Sequence, residues 1–309
     1  MAVTGVLGVA IEVPDHAVGR QFYTDAGLEA ETADGRIALR CAGNAEPSVT
    51  LIEAAGPMRL HHVGLRAGEL DAIAARVPGH GGKVVAVPTG FGGDGLWIED
   101  IHGVLFHLVD KPAVAEAPVA EPFAINAPGR VVRVRRSAMQ PVNSYPPVRP
   151  RRLGHVALFT PDVAASAGFL TGALGMAVAD SVADVLAFCC AAKDSDHHVI
   201  ALAKSSATGM HHLSFQVADP DEVGRGGNTL AAKAGKGQWG FGRHTIGSNF
   251  FHYIQDPWGS WFEYYSDMDF IDDHALWQAT SYGMEDALAN WGPPPPADFI
   301  HNYQAGPAA

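Results

Sequence analysis

The sequence predicts an α+β protein made of two similar halves, each built from two βαβββ units. Three observations lead to this prediction. The chain has 309 residues, which is long for one domain and suits two domains of about 150 residues. Matching segments recur at a nearly constant offset, and a stretch rich in proline and alanine lies between the two halves.

The internal repeat consists of three pairs of matching segments. The pairs are VLGVAIEVPD (6–15) with RLGHVALFTPD (152–162), RLHHVGL (59–65) with GMHHLSF (209–215), and WIEDIHGVLFHL (97–108) with YIQDPWGSWFEY (253–264). Within each half, a strand, a helix and further short strands recur twice, as expected for a duplicated unit. The predicted βαβββ units span 5–53, 59–110, 152–204 and 210–266.

The repeat and the composition together predict the domain boundaries. An N-terminal domain spans 1–110, a proline-rich linker 111–150, a C-terminal domain 151–270, and a tail at 271–309 packs back on that domain. Within the tail, the stretch DHALWQATSYGMEDALANW has helical potential, and the following four prolines end any helix.

Composition and charge exclude several classes of protein. No apolar run approaches the roughly 20 residues that span a bilayer, so no membrane segment is expected. The net charge of −12 disfavours nucleic acid, although seven of the 21 Lys and Arg residues lie between 130 and 152, in a predicted linker or subunit contact. The three cysteines, Cys41, Cys189 and Cys190, make a poor disulfide framework. The N-terminal stretch has no basic region ahead of its apolar residues, so we expect no secretory signal. We therefore expect a cytoplasmic protein, associated as a homo-oligomer.

An aromatic hairpin is predicted around the turn Asp-Pro-Trp-Gly at 256–259, because proline suits the second turn position and Phe, Tyr, Trp and Ile flank it. If the glycine takes a left-handed conformation, the loop holds three residues and Asp256 pairs with Ser260. Tyr253 then lies opposite Glu263 on one face of the hairpin. A two-residue loop would place them on opposite faces.

Glu263 needs a partner, because it lies between Phe262 and Tyr264 in an aromatic strand and a buried carboxylate is costly unless it is paired or bound to a metal. His155 and His212 lie in the middle of apolar strands of the same half. Two imidazoles and one carboxylate would leave half of an octahedron open, which suits a non-haem Fe(II) site. A single histidine in a strand is more often a hydrogen-bonded core residue than a ligand. The symmetrical placement of the three residues favours a shared site.

The first half serves as an internal control for this hypothesis. Gly8 stands at the position of His155, while His62 and His107 stand at the positions of His212 and Glu263. One ligand is therefore missing. We expect no functional metal in the N-terminal domain, and we interpret His62 and His107 as remnants.

With these residues in place, the sequence resembles the type I extradiol ring-cleavage dioxygenases of the vicinal oxygen chelate superfamily, which include catechol 2,3-dioxygenases and dihydroxybiphenyl 1,2-dioxygenases. The resemblance covers both halves in layout and is specific in the second. The family signature matches Gly242, His244, Tyr253, the turn at 256–259 and Glu263. One departure is His252, where the family usually has an aliphatic residue or phenylalanine.

This resemblance implies Fe(II), with Mn(II) as the alternative, held by His155, His212 and Glu263. It implies that His198 guides oxygen and moves protons, and that His244 and Tyr253 hydrogen-bond a bound aromatic diol, which O2 cleaves next to the hydroxyls. His197 and His211 adjoin two of these residues. Strand alternation allows one histidine of each pair to face the metal.

Three other functions remain open at this point. Keto-acid dioxygenases and glyoxalase-like isomerases share the fold and a metal set of two histidines and a glutamate, and the superfamily also contains binding and resistance proteins without catalysis. An isomerase requires a fourth metal ligand. A keto-acid oxygenase does not explain His198, His244 and Tyr253 together, and a binding protein often lacks the metal residues.

Overall fold

The computed structural model describes residues 3–112, 126, 141 and 144–305. Most of the predicted linker at 111–150, with four of its arginines, lies outside the described residues. The bounds of the four predicted segments therefore stay a prediction, whereas the division into two large sheets is visible directly.

The first half forms one eight-stranded sheet with two helices, and each unit runs strand, helix, three strands. Its elements are β1 (Val3–Val13), α1 (His16–Asp25), β2 (Glu29–Ala33), β3 (Arg36–Arg40), β4 (Val49–Glu53), β5 (Arg59–Ala67), α2 (Leu70–Arg76), β6 (Lys83–Val84), β7 (Leu96–Glu99) and β8 (Leu105–Val109). The spatial order is β2-β3-β4-β1-β5-β8-β7-β6, so the first strands of the two units lie side by side at the centre.

The second half repeats this plan and adds two short strands and a tail strand. Its elements are β9 (Arg152–Thr160), α3 (Val163–Gly172), β10 (Ala177–Val182), β11 (Leu186–Cys190), β12 (Ser195–Asp196), β13 (Ile200–Lys204), β14 (Gly209–Gln216), α4 (Pro220–Ala234), β15 (Gln238–Arg243), β16 (Phe250–Gln255), β17 (Trp261–Ser266), β18 (Phe270–Ile271) and β19 (Thr280–Tyr282). Nine strands form a sheet in the order β15-β16-β17-β14-β9-β13-β11-β10-β19, while β12 pairs with β18. The predicted α+β fold class and its βαβββ units are confirmed.

The repeated Pro-Asp pair ends a strand and begins a helix in both halves. The Asp15 carboxylate accepts hydrogen bonds from the backbone N–H groups of Ala17 and Val18, and the Asp162 carboxylate accepts one from Ala165. Each aspartate thus caps the first turn of its helix, an interaction typically worth about 1 kcal/mol.

The two halves share a continuous hydrophobic core. Phe22 of α1 packs edge-on against Phe262 of β17 with ring centroids 6.1 Å apart, and Phe262 stacks on Phe215 of β14 at 4.7 Å. The Tyr264 hydroxyl donates a hydrogen bond to the Ala26 carbonyl across the same boundary at 2.8 Å. Phe262 and Tyr264 lie on the face of β17 opposite Glu263. They therefore anchor the first half to the strand that carries Glu263.

The predicted helix in the tail at 273–291 is wrong. The chain makes one turn after Asp273 and then forms β19, which pairs in parallel with β10, followed by a short 3-10 turn at Met284–Asp286. The β10 edge offers unpaired backbone groups, and the side chains of Thr280 and Tyr282 favour a strand. The Asp180 carboxylate also accepts the Thr280 N–H at 2.6 Å. These tertiary partners override the local helical preference.

Among the helices of the described part of the chain, none has the length and apolar character needed to cross a membrane.

Candidate metal centre

Three adjacent strands, β9, β14 and β17, place His155, His212 and Glu263 together. Ser214 of β14 pairs with His155 on one side and with Glu263 on the other, so these three side chains lie on one face of the sheet. His212 lies two residues before Ser214 on the same strand and therefore faces the same way. The small Ser214 side chain between its neighbours leaves room for the larger groups to converge.

The three side chains meet at their polar atoms. His155 Nε2 lies 3.1 Å from His212 Nε2 and 3.2 Å from Glu263 Oε2, and His212 Nε2 lies 3.5 Å from the same carboxylate oxygen. Their exposed fractions are 2%, 7% and 0%. Within the described residues, this is the one group of three or more His, Cys, Asp or Glu whose candidate ligand atoms all lie within 4.8 Å of one another.

This donor set fits a divalent cation. Glu263 Oε2 is buried and accepts no hydrogen bond from any described residue, while Oε1 accepts one from Asn249 at 3.3 Å. Burial alone would raise the pKa of Glu263, but the adjacent imidazoles of His155, His244 and His212 hold it well below its usual range. Burial, with His211 alongside, holds the pKa of His212 well below its usual range. A neutral imidazole and an ionised carboxylate are the forms that bind a metal.

The hairpin register brings Tyr253 to this centre. The Asp256 N–H donates to the Ser260 carbonyl at 2.7 Å, and Gly259 has a φ of +105°. Tyr253 lies directly opposite Glu263 in the β16–β17 ladder. The three-residue loop and the register predicted from the turn sequence are confirmed.

His244, which follows β15, joins Tyr253 beside the carboxylate. His244 Nε2 lies 3.0 Å from the Tyr253 hydroxyl and 3.6 Å from Glu263 Oε1. The opposite ring nitrogen, Nδ1, donates to the main-chain carbonyl of Leu288 in the tail. Burial, followed by the charge of Glu263, raises the pKa of Tyr253 well above its usual value. The phenol therefore stays protonated and can donate a hydrogen bond.

His198 lies on the other side of the centre, just before β13. Its ring centroid is 4.2 Å from that of His155, and 4% of its surface is exposed. Burial, with His155 nearby, holds the pKa of His198 well below its usual range. The structure thus brings all six predicted site residues, His155, His198, His212, His244, Tyr253 and Glu263, around one cavity.

His211 turns away from the cluster, as strand alternation predicts for the pair in β14, whereas His197 and His198 lie between β12 and β13, outside both strands. His211 Nε2 donates to the main-chain carbonyl of Phe299 at 2.7 Å, and its Nδ1 lies 2.6 Å from His212 Nδ1. Because a neutral imidazole has one N–H, His211 Nδ1 accepts a hydrogen bond from His212 Nδ1–H. His212 Nε2 is then left with the lone pair that a metal ligand needs.

Sequence reasoning missed two parts of the site. The cavity has a volume of about 80 Å³, and the tail forms one wall of it through Ala287, Leu288, Phe299 and Ile300. Asn249, which is 1% exposed, binds the Glu263 carboxylate. Strand alternation would have found Asn249, since positions 249, 251 and 253 share a face. The tail carbonyls have no signal in the sequence.

The first half has the same strand register and different chemistry. Gly64 of β5 pairs with Gly8 and with His107, as Ser214 pairs with His155 and Glu263. A Cβ atom at Gly8 would lie 2.4 Å from the Pro47 carbonyl oxygen, so a histidine does not fit there. Trp97 stacks on His107 with ring centroids 4.1 Å apart and takes the position that Tyr253 has in the second half.

Comparisons with known proteins agree with this geometry. Residues 152–264 match the family model of the Glyoxalase/Bleomycin resistance protein/Dioxygenase superfamily. The chain is 36% identical to metapyrocatechase 2 of Cupriavidus necator, over 98% of this chain and 93% of that protein. It therefore belongs to the extradiol ring-cleavage dioxygenases of the vicinal oxygen chelate superfamily, and the resemblance seen in the sequence is confirmed.

Solved structures show the same fold. The Mn(II)-bound glyoxalase of Novosphingobium aromaticivorans is 25% identical, with a TM-score of 0.73 over 94% of this chain and 91% of that one. A variant of homoprotocatechuate 2,3-dioxygenase from B. fuscum is 18% identical, with a TM-score of 0.76 over 96% and 81%. The 2,2',3-trihydroxybiphenyl 1,2-dioxygenase of Sphingomonas wittichii is 20% identical, with a TM-score of 0.71 over 94% and 99%. At the two lower identities the likeness concerns the fold alone.

Proposed function

We propose that the chain binds one Fe(II) ion through His155, His212 and Glu263 and uses O2 to cleave a catechol-type aromatic diol next to its hydroxyl groups. The observation that carries this proposal is the convergence of two imidazoles and one carboxylate on one buried point beside an open cavity. Bound there, the ion would supply a Lewis acid with vacant positions, which lowers the pKa of the diol hydroxyls.

His244 and Tyr253 are proposed to hold the diol. A neutral His244 donates its Nδ1–H to the Leu288 carbonyl, so its Nε2 carries a lone pair and accepts a hydrogen bond from the Tyr253 hydroxyl. A diol hydroxyl in the cavity would find the same acceptor and the same donor. The two residues therefore suit the orientation of a substrate beside the carboxylate.

His198 is proposed as the group that handles protons on the opposite side. It lines the cavity next to His155 and makes no hydrogen bond to Glu263. The apolar residues Leu186, Phe188 and Ile246 line the same cavity. A positioned acid or base of this kind typically gives about 100- to 10,000-fold in rate.

Mn(II) is the second candidate for the ion, because imidazole and carboxylate ligands accept both metals and the glyoxalase of similar fold holds Mn(II). The isomerase function of that protein has weaker support here. The described residues hold three clustered ligand groups of the His, Cys, Asp and Glu types, without a fourth.

The test is anaerobic loading of the purified protein with Fe(II) or Mn(II), followed by air and a panel of catechols. We expect stoichiometric metal, consumption of O2 and diol in equal amounts, and a yellow ring-opened product. Metal binding with no loss of any diol would contradict the proposal and favour an isomerase, which the same protein can be assayed for with a glutathione hemithioacetal.

A further inference from the structure

A chain of hydrogen bonds leads from His198 away from the cavity to a buried carboxylate. His198 Nδ1 lies 3.1 Å from His197 Nδ1, and His197 Nε2 lies 2.7 Å from Asp180 Oδ2. The other carboxylate oxygen, Oδ1, accepts the backbone N–H of Thr280 at 2.6 Å. His197 and Asp180 are 0% and 3% exposed, so water does not compete for these bonds.

The direction of each bond follows from which groups can donate. The Thr280 N–H can only donate, and an ionised carboxylate can only accept. A neutral His197 therefore carries its proton on Nε2, where it donates to Asp180, and has a lone pair on Nδ1. His198 must then donate from Nδ1, which leaves the lone pair of His198 on Nε2, the ring atom at the far end from His197.

We propose that Asp180 and His197 are positioning residues that hold His198 as its Nδ1–H tautomer, with the Nε2 lone pair available on the cavity side. This inference rests on the proposed function, in which His198 handles protons. The second histidine pair supports it independently, because His211 fixes the tautomer of His212 in the same way with the Phe299 carbonyl in place of Asp180. Outer hydrogen bonds of this kind are a known means of orienting imidazoles in metal sites.

The variant Asp180→Asn reverses the direction of these hydrogen bonds and keeps the shape of the side chain. The Thr280 N–H requires the amide oxygen, so the amide NH2 group faces His197 and donates to its Nε2. His197 must then be protonated on Nδ1, and His198 on Nε2. We expect kcat to fall about 10- to 100-fold, with KM, iron content and Tm close to those of the wild type. The matched control is Asp184→Asn, an exposed aspartate paired with Lys204, which should keep full activity.

The tautomer itself gives a readout that does not depend on activity. In the metal-free protein labelled with nitrogen-15 histidine, proton–nitrogen spectra at neutral pH should show His198 protonated on Nδ1 in the wild type and on Nε2 in Asp180→Asn. The variant His198→Phe identifies the resonances. Protonation of wild-type His198 on Nε2 would overturn the inference, and this measurement decides even if the Asp180 variant does not fold.

A double variant tests whether Asp180 has a purely structural role. If Asp180 acts through His198, Asp180→Asn should cause no further loss of kcat in a His198→Phe background. A full additional loss would overturn the inference. If the wild type opens no diol at all, the proposed function is wrong. The nitrogen-15 spectra still decide separately whether His198 is held as its Nδ1–H tautomer.

Discussion

The two halves of the molecule have the same strand register around different centres. In the second half, the position between the converging strands is the small Ser214, and its neighbours His155 and Glu263 point at one spot. In the first half the neighbours are Gly8 and His107, and Trp97 fills the space. The backbone plan of a metal site is thus compatible with an ordinary aromatic core, and a few side chains decide between them.

The largest difference between the halves should appear at Glu263 and its counterpart. Replacing Glu263 by Gln removes the only carboxylate of the cluster, so we expect loss of bound iron and of all ring cleavage while the far-UV circular dichroism is unchanged. The matched control is His107→Gln, which should keep the bound iron and the ring-cleavage activity. Iron retained at one ion per chain in the Glu263 variant would contradict the proposed ligand role.

A large effect confined to turnover is expected at His198. Because this residue lines the cavity without belonging to the metal cluster, His198→Phe should lower kcat about 100- to 10,000-fold and leave iron content intact. Steady-state kinetics measures the loss of kcat, and metal analysis measures the iron content. Loss of iron in step with activity would show that His198 acts as a ligand.

The steric barrier in the first half predicts a stability effect. A side chain at Gly8 meets the Pro47 carbonyl oxygen, and overpacking of this kind costs about 1–3 kcal/mol, so Gly8→His should destabilise the protein and bind no second metal ion. Urea unfolding measures the cost. The control is Gly68→His, since a Cβ atom at that position meets no atom within 4 Å. Equal stability of the two variants would contradict the clash.

His252 distinguishes the halves in pH dependence, because its counterpart in the repeat is Leu96. Burial lowers the pKa of His252 to about 4, whereas an unfolded chain has a histidine pKa of about 6.5. The unfolded state therefore binds more protons between these values, and stability is lost as pH falls through that window. His252→Leu should gain about 2 kcal/mol relative to the wild type between pH 8 and pH 4.5. Urea unfolding at both pH values tests this, and a difference that does not vary with pH would disprove it.

The smallest expected effect concerns the histidines of the first half. Changing His62 and His107 together to glutamine should leave the iron content at its wild-type value, because Gly8 supplies no third ligand. Metal analysis after reconstitution is sufficient. A halved iron content would show that the first half holds a functional ion.

The sequence predicts best what depends on local chemistry and on the repeat. The turn residues at 256–259 determine the register that pairs Tyr253 with Glu263, and the repeat aligns the strands that carry His155 and His212. The tail was predicted wrongly because its conformation depends on the β10 edge and on Asp180, which lies 100 residues before Thr280. Main-chain carbonyls as histidine partners leave no trace in side-chain patterns.

The carbonyl groups of Leu288 and Phe299 anchor two histidines without the help of their own side chains. Evolution can therefore exchange the residues at these positions, reshaping the chamber for bulkier or smaller aromatic rings, while the anchors persist. In Leu288 and Phe299, the main-chain carbonyl keeps a histidine in place, while the side chain is free to change with the substrate.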